Sequence, residues 1–184
     1  ERLRISGWIA LARRIFRASE GGFILLATVI GIGAGLLASM LGALARLAQT
    51  ILYGLRSADR LSGLGSIEPL RLMALPAGGL ALGLLFYTLR SRRRSAIDVV
   101  EANALHGGRI PVRDSLSVTL QTLLSNGCGA SVGLEAGYAQ AGGGIASWLG
   151  QQLRLRRNDL RVLVGAGAGA AIAAAFGAPL AGAF

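Results

Sequence analysis

Charged side chains are absent from five stretches of the chain, residues 21–45, 72–89, 115–134, 136–153 and 162–184. A helix of roughly 20 apolar residues crosses the hydrocarbon layer of a bilayer, so each stretch is long enough, or nearly so, to be a span. The pattern predicts an all-α polytopic membrane protein. Residues 3–16 mix arginines with Ile, Leu and Trp8, which suits an amphipathic helix on the membrane surface. Ser19 is placed to cap a long helix from Glu20 to about Leu55, longer than a bilayer requires and therefore tilted. Residues 57–66 are rich in Ser, Gly and Asp and read as a loop. A third helix is expected over 69–89, with Pro76 inside it, which membrane helices tolerate.

Beyond Arg94 the apolar pieces shorten and glycine interrupts them. One short helix is expected over 95–105, a turn over 106–111, and a helix from Arg113 to about Ser125 that dissolves into Asn126, Gly127, Cys128 and Gly129. Further helices are expected over 135–153 and 158–176, the last broken by Gly177, Ala178 and Pro179. Irregular backbone at membrane depth is stable only where it is packed in protein or lines a cavity. Broken helices in transporters commonly aim their N-termini at an anion.

Composition agrees with this reading. The chain is 53% hydrophobic and 15% charged, with 28 glycines in 184 residues and a mean hydropathy of +0.56. Soluble domains carry nearer a quarter charged residues. The net charge of +10 comes entirely from arginine, and most of it lies between the apolar stretches. That distribution signals membrane topology and excludes a nucleic-acid-binding face. Arg2, Arg4, Arg13, Arg14 and Arg17 precede the first span, and Arg90, Arg92, Arg93 and Arg94 follow the second. Both blocks are expected in the cytoplasm, which puts the N-terminus inside, in a cell (inner) membrane. The side of the Arg154, Arg156, Arg157 and Arg161 cluster is left open. No cleavage site follows the first arginines, so a secretory signal is not expected. Cys128 is alone and reads as a buried structural thiol.

Candidate chemistry is sparse. Glu135 is the only charged residue between Asp114 and Arg154, at the junction of two apolar segments and flanked by Gly133 and Gly137. A carboxylate at the bilayer centre costs roughly 2.5 to 3.5 kcal/mol on insertion scales, which marks it as functional. The competing reading is a glutamate at a helix start near the interface, stabilised by the helix dipole. The alternation of Gly and Ala over 165–170 lacks the strand and acidic residue of a dinucleotide site and reads as close helix packing. His106, beside Gly107 and Gly108, reads as a loop residue. Trp8 and Trp148 suit interfacial or packing roles. No cofactor and no metal is expected.

Three segments carry a resemblance to the CLC family of chloride channels and proton-coupled chloride transporters. Gly133-Leu134-Glu135-Ala136-Gly137 resembles the family's Gly-Arg-Glu-Gly-Pro loop, and the following residues include the matching Gln140, Gly142 and Gly143. Ala174-Ala175-Phe176-Gly177-Ala178-Pro179-Leu180-Ala181-Gly182 resembles Ala-Ala-Phe-Asn-Ala-Pro-Leu-Ala-Gly. Ser95-Ala96-Ile97-Asp98 stands where the family has Ser-Gly-Ile-Pro, with Glu101 at an acidic position just after it. The resemblance runs from about Ser19 to Phe184 and implies the first, truncated half of a CLC-type inverted repeat (19–184) behind a cytoplasmic surface helix (1–18).

It also implies function. Ser95 would offer its hydroxyl, and Ala96 and Ile97 their amides, to a dehydrated chloride. Gly133, Leu134, Ala136 and Gly137 would offer a second set of amides. Glu135 would be the gate, competing with chloride when ionised and swinging away when protonated. Burial disfavours the charged form of a carboxyl, so a buried one can carry a proton. The function implied is proton-coupled chloride exchange, with chloride and protons as substrates, a lipid bilayer as surroundings and a homodimer packed partly through Leu180, Ala181 and Phe184. The alternatives are a passive chloride channel and a non-conducting CLC-like scaffold.

The departures weigh against full equivalence. Leu134 removes a positive charge, Gly137 loosens the loop, and Ala96 and Asp98 alter the serine segment, Asp98 with a negative charge. The retained serine argues against the fluoride-exporting branch. The chain is expected to be a fragment, since the family's internal proton glutamate would fall beyond Phe184. Ser95 and Glu135, 40 positions apart, are expected to begin two helices that meet near mid-membrane.

Overall fold

The computed structural model describes residues 20–55, 61, 68–89, 95–180 and 182. Within them every regular element is a helix: α1 (Glu20–Tyr53), α2 (Pro69–Leu72), α3 (Ala74–Leu89), α4 (Val99–Leu105), α5 (Val112–Gly127), α6 (Glu135–Gln152) and α7 (Arg157–Phe176). The expected surface helix, the Ser19 cap, most of the 57–66 loop, and Ala181 and Phe184 lie outside the described residues.

Three described segments are long and apolar enough to cross a membrane: Glu20–Tyr53, Pro69–Thr88 and Arg157–Phe176. The chain is an all-α integral membrane protein. The charge-free stretches 115–134 and 136–153 turn out differently, as helices of 16 and 18 residues. At 1.5 Å per residue they reach about 24 and 27 Å, short of a hydrocarbon core of roughly 30 Å. Absence of charge overstated their apolarity, because Ser, Thr, Gln and Gly are uncharged yet not apolar.

α1 shows how the bundle is sorted. Leu26, Ile30, Ala34, Ala38, Leu41 and Ala45 recur every three or four residues and are buried. Ile24, Leu25, Ile32 and Leu36, on the other faces, are exposed. In a membrane helix the large side chains belong against lipid and the small ones against protein. Ala34 and Ala38 pack with Ala171 of α7. A second cluster gathers Leu26 and Ile30 of α1 with Ile97, Ile110, Ala146, Leu160, Leu163 and Val164.

Three expected elements are corrected. The helix over 69–89 divides at Met73, because Pro76 has no N–H to give the Leu72 carbonyl. Met73 N–H bonds back only three residues, to the Leu70 carbonyl at 3.2 Å, and the α pattern resumes with Ala77 N–H on the Met73 carbonyl. The helix expected over 95–105 begins only at Val99, since Asp98 is its N-cap and accepts from Glu101 N–H at 2.7 Å. Ser95 to Asp98 carry no regular element, and Asp98 itself is extended. α5 continues through Asn126 and Gly127 before the turn, in which Gly129 takes a positive φ of 89° that side chains rarely adopt. Cys128 is half-buried rather than buried, and packs against Gly78 of α3.

α6 is the centre of the bundle, and its glycines decide what may approach it. A Cβ on Gly137 would meet Thr122 of α5, on Gly143 Val99 of α4, on Gly144 Ser115 of α5, and on Gly150 Leu160 of α7. The closest approach is to α7, where a Cβ on Gly142 would strike the Gly167 carbonyl and a Cβ on Gly167 would lie 2.7 Å from the Gly142 carbonyl. The expected close-packing role of the Gly-Ala run is seen here. Gly142→Ala in the full-length protein is expected to cost about 1–3 kcal/mol through overpacking, read as a lowered midpoint of thermal unfolding in detergent. Gly33→Ala is the control, because nothing lies within 4 Å of a Cβ there. Equal midpoints for the two variants would refute the close approach.

Candidate functional site

The segment leading to Glu135 is anchored by three hydrogen bonds. Tyr53 of α1 donates its hydroxyl to the Cys128 carbonyl at 2.7 Å. Gln49, one turn earlier on α1, donates to the Asn126 carbonyl at 2.9 Å, and Asn126 donates to the Val132 carbonyl at 2.8 Å. These bonds satisfy backbone groups of a non-helical connection, which irregular backbone in a membrane protein needs from packed protein. They fix where α6 begins.

Glu135 is the first residue of α6, and Leu134 precedes it with no side-chain cap. The amides of Glu135, Ala136 and Gly137 fall in the first turn, where no intrahelical carbonyl is available to them. Tyr138 N–H is the first to bond back, to the Leu134 carbonyl at 2.9 Å. The Glu135 carboxylate folds back over its own loop, and a Cβ on Gly133 would fall on its oxygens. The negative group thus lies at the positive end of an 18-residue helix. Glu135, Ala136 and Gly133 are exposed, Leu134 is half-buried, and Gly137 is buried against Thr122.

The serine segment is pinned to the same helix. Gln140 of α6, buried, donates to the Ile97 carbonyl at 3.0 Å. Gln140 lies about 8 Å along the axis from Glu135. Ser95 and Ala96 are exposed and Ile97 is buried. The Ile97 amide donates to an Asp114 carboxylate oxygen at 3.1 Å. Together with the Asp98 cap on Glu101, two carboxylates therefore serve donors around the start of α4. Its electrostatics differ from those at α6, where, among the described residues, the carboxylate at the helix start is that of Glu135 itself.

Further along α6, Ser147 donates to the Gly108 carbonyl at 2.7 Å and accepts from Ile110 N–H at 2.8 Å. Gln151 donates to Ser147 Oγ at 2.9 Å. His106 ends α4 and faces Glu101 across 3.4 Å, consistent with a loop residue. The sequence reading did not find Asp114, Gln140 and Ser147 as structural residues, nor Asp98 as a cap. Two signals were available. Asp98 and Glu101 have the three-residue spacing of a capping box. Gln140, Ser147 and Gln151 recur at helical spacing within an otherwise charge-free stretch, which marks a buried polar stripe.

The family description "Voltage gated chloride channel" matches residues 77–184. A chloride/fluoride channel protein of Pseudomonas syringae pv. tomato is 34% identical over 131 residues, 70% of this chain and 29% of the relative. A voltage-gated ClC-type chloride channel ClcB of Yersinia pseudotuberculosis is 32% identical over 139 residues, 73% of this chain and 33% of the relative. The chain spans about a third of the length of the curated relatives it matches. No solved structure matches it.

Gln140→Met keeps the volume of the side chain but removes the donor to Ile97. Loss of a buried hydrogen bond costs about 1–3 kcal/mol, and here the cost falls on the serine segment. Faster amide hydrogen exchange over 97–101 is expected in the variant, with exchange in α7 unchanged. Equal protection over 97–101 would show that Gln140 does not hold the segment.

Proposed function

The chain belongs to the voltage-gated chloride channel family, and from that premise we propose that it forms part of a chloride pathway across a bacterial inner membrane, with Glu135 as a proton-sensitive gate. The observation that carries this reading is the Glu135 carboxylate lying over Gly133 at the unpartnered first turn of α6. A chloride and a carboxylate are attracted to the same amides by the same partial charge. The ionised side chain therefore competes with the anion, and protonation removes its claim. Coupled chloride and proton exchange is the outcome, with the N-terminus in the cytoplasm and two copies of the full-length protein in the working assembly.

At the serine segment the reading is narrower than the resemblance implied. Chloride there would share its surroundings with Asp98 and Asp114, and the Ile97 amide is already engaged. Unlike charges attract and like charges repel by about 1 kcal/mol at 4 Å in water, and by about 4 kcal/mol near a protein surface. The anion is therefore held mainly by the amides of Gly133, Leu134, Ala136 and Gly137, with Ser95 and Ala96 in a secondary part. The two carboxylates favour one second reading, a scaffold whose anion path is closed.

Paired chloride and proton flux from liposomes containing the full-length protein separates these readings. Wild type should carry chloride with a steep dependence on external pH, and fluoride in a parallel assay reports selectivity. Glu135→Gln should retain chloride flux while losing both the pH dependence and the coupled proton movement. No flux from wild type would establish the scaffold. Flux with an unaltered pH profile in the variant would leave Glu135 as a helix-start residue worth about 0.3 to 1 kcal/mol of stability.

A further inference from the structure

One face of α1 runs along the candidate site, and a single charge stands on it. Gly42, Arg46, Gln49 and Tyr53 are spaced by four, three and four residues and so form one stripe. A Cβ on Gly42 would lie 3.0 Å from the Tyr138 hydroxyl. Gln49 bonds to Asn126, and Tyr53 to the Cys128 carbonyl. Ala48, beside the stripe, lies against Gly127. Arg46 is thus bracketed by residues that touch the 126–138 segment. Tyr138 lies one turn from Glu135 on α6, and its phenol is within electrostatic range of both Arg46 and Glu135.

Depth agrees with this placement. Arg46 lies about 39 Å along α1 from Glu20, farther than the roughly 30 Å of hydrocarbon. It therefore stands at the bilayer face opposite the one where α1 begins. Arg46 is exposed, and no carboxylate of the described residues forms an ion pair with it. A guanidinium unpaired among the described residues, in a helix of otherwise uncharged residues after Glu20, has no structural role that the described contacts show. Leu134, beside Glu135 at the start of α6, supplies no charge.

We infer that Arg46 is the fixed positive charge of the anion entrance, drawing chloride toward the first turn of α6 across the Tyr138 phenol. The inference rests on the chloride-pathway reading above and adds a specificity-determining residue to it. Arg46 acts at a distance. It raises the local concentration of anions without binding one tightly, which leaves the ion free to move on.

The test uses the full-length protein in liposomes, with external chloride varied against impermeant gluconate at constant ionic strength. Arg46→Gln is expected to raise the chloride concentration giving half-maximal flux by roughly two- to tenfold, the range for one unit charge acting through a partly aqueous path. The maximal rate should be unchanged. Arg46→Lys should stay within about twofold of wild type by the same charge argument, and Leu134→Arg added to Arg46→Gln should restore the original value. Arg46→Cys, reacted after reconstitution with an aminoethyl thiosulfonate, gives a charge restored within one folded sample and should shift back toward wild type; wild type treated identically controls for Cys128. Half-saturation that does not move in Arg46→Gln, or that does not respond to the restored charge in Arg46→Cys, overturns the inference. Absence of flux from wild type overturns the chloride reading itself, a result distinct from wild-type flux with an indifferent Arg46.

Discussion

Everything in this bundle is arranged around the close approach of backbone to backbone at α6. Lipid is as apolar as a leucine side chain, so membrane helices gain little by hiding leucine from it. What holds them is contact area, and contact area here comes from omitting side chains. Gly137, Gly143, Gly144 and Gly150 admit α5, α4 and α7 in turn, while Gly142 and Gly167 bring the α6 and α7 backbones together. Two polar side chains of α6 are turned inward. Gln140 and Ser147 are buried, and their bonds go to the carbonyls and amides of Ile97, Gly108 and Ile110. Irregular backbone packed within a membrane protein is stable only if its polar groups are satisfied by protein. α6 supplies both the space for that backbone and its hydrogen bonds, and the position of its first turn follows from the same packing.

Two helix starts in this chain are handled in opposite ways, and the difference has chemical consequences. The short α4 is closed by Asp98, a cap of the kind worth about 1 kcal/mol, and Asp114 takes the neighbouring Ile97 amide. These carboxylates are tied to the backbone by hydrogen bonds and are part of the fold. At α6 the preceding residue is Leu134, which has nothing to offer as a cap. The acidic group there is attached to the helix itself and lies over a glycine, where it has room to leave. A fixed cap stabilises a structure, whereas a carboxylate with a place to go can exchange with another anion. The proposed gate depends on that contrast more than on the charge of Glu135 alone.

Much of this was legible in the amino-acid sequence, and what was not has specific causes. α1, α6 and α7 were expected within about two residues of their ends, because long charge-free runs bounded by Glu20, Glu135 and the Arg154–Arg161 cluster leave little freedom. The small-residue role of 165–170 was also legible, since alternating Gly and Ala has few other uses in a membrane helix. Met73 was missed because Pro76 acts on a carbonyl four residues back, away from its own position. Asp98 was read for its charge, as an intruder near an anion, when its spacing from Glu101 identified a cap. Asp114 could not have been paired with Ile97 from spacing, since 17 residues and a turn through Gly107 and Gly108 intervene. Arg46 was invisible for a related reason: Tyr138 of α6 is brought against its stripe only by folding.

The exposed surface has two chemistries, and they assign different surroundings to different faces. Ile24, Leu36, Leu80 and Leu84 project from α1 and α3 as large apolar side chains of the kind lipid accommodates. Glu135 and Asp98 are exposed as well, together with Ser95. A charged side chain facing hydrocarbon costs roughly 2.5 to 3.5 kcal/mol even on the mildest scale. Two such costs are a large fraction of the 5–15 kcal/mol that typically separates folded from unfolded states. Those positions must therefore meet water or further protein, while the leucine and isoleucine faces meet lipid. Where the surroundings of Glu135 are water, its carboxylate can be reached by a proton and by an anion from the same side. Competition between the two at one place is what a proton-sensitive gate requires.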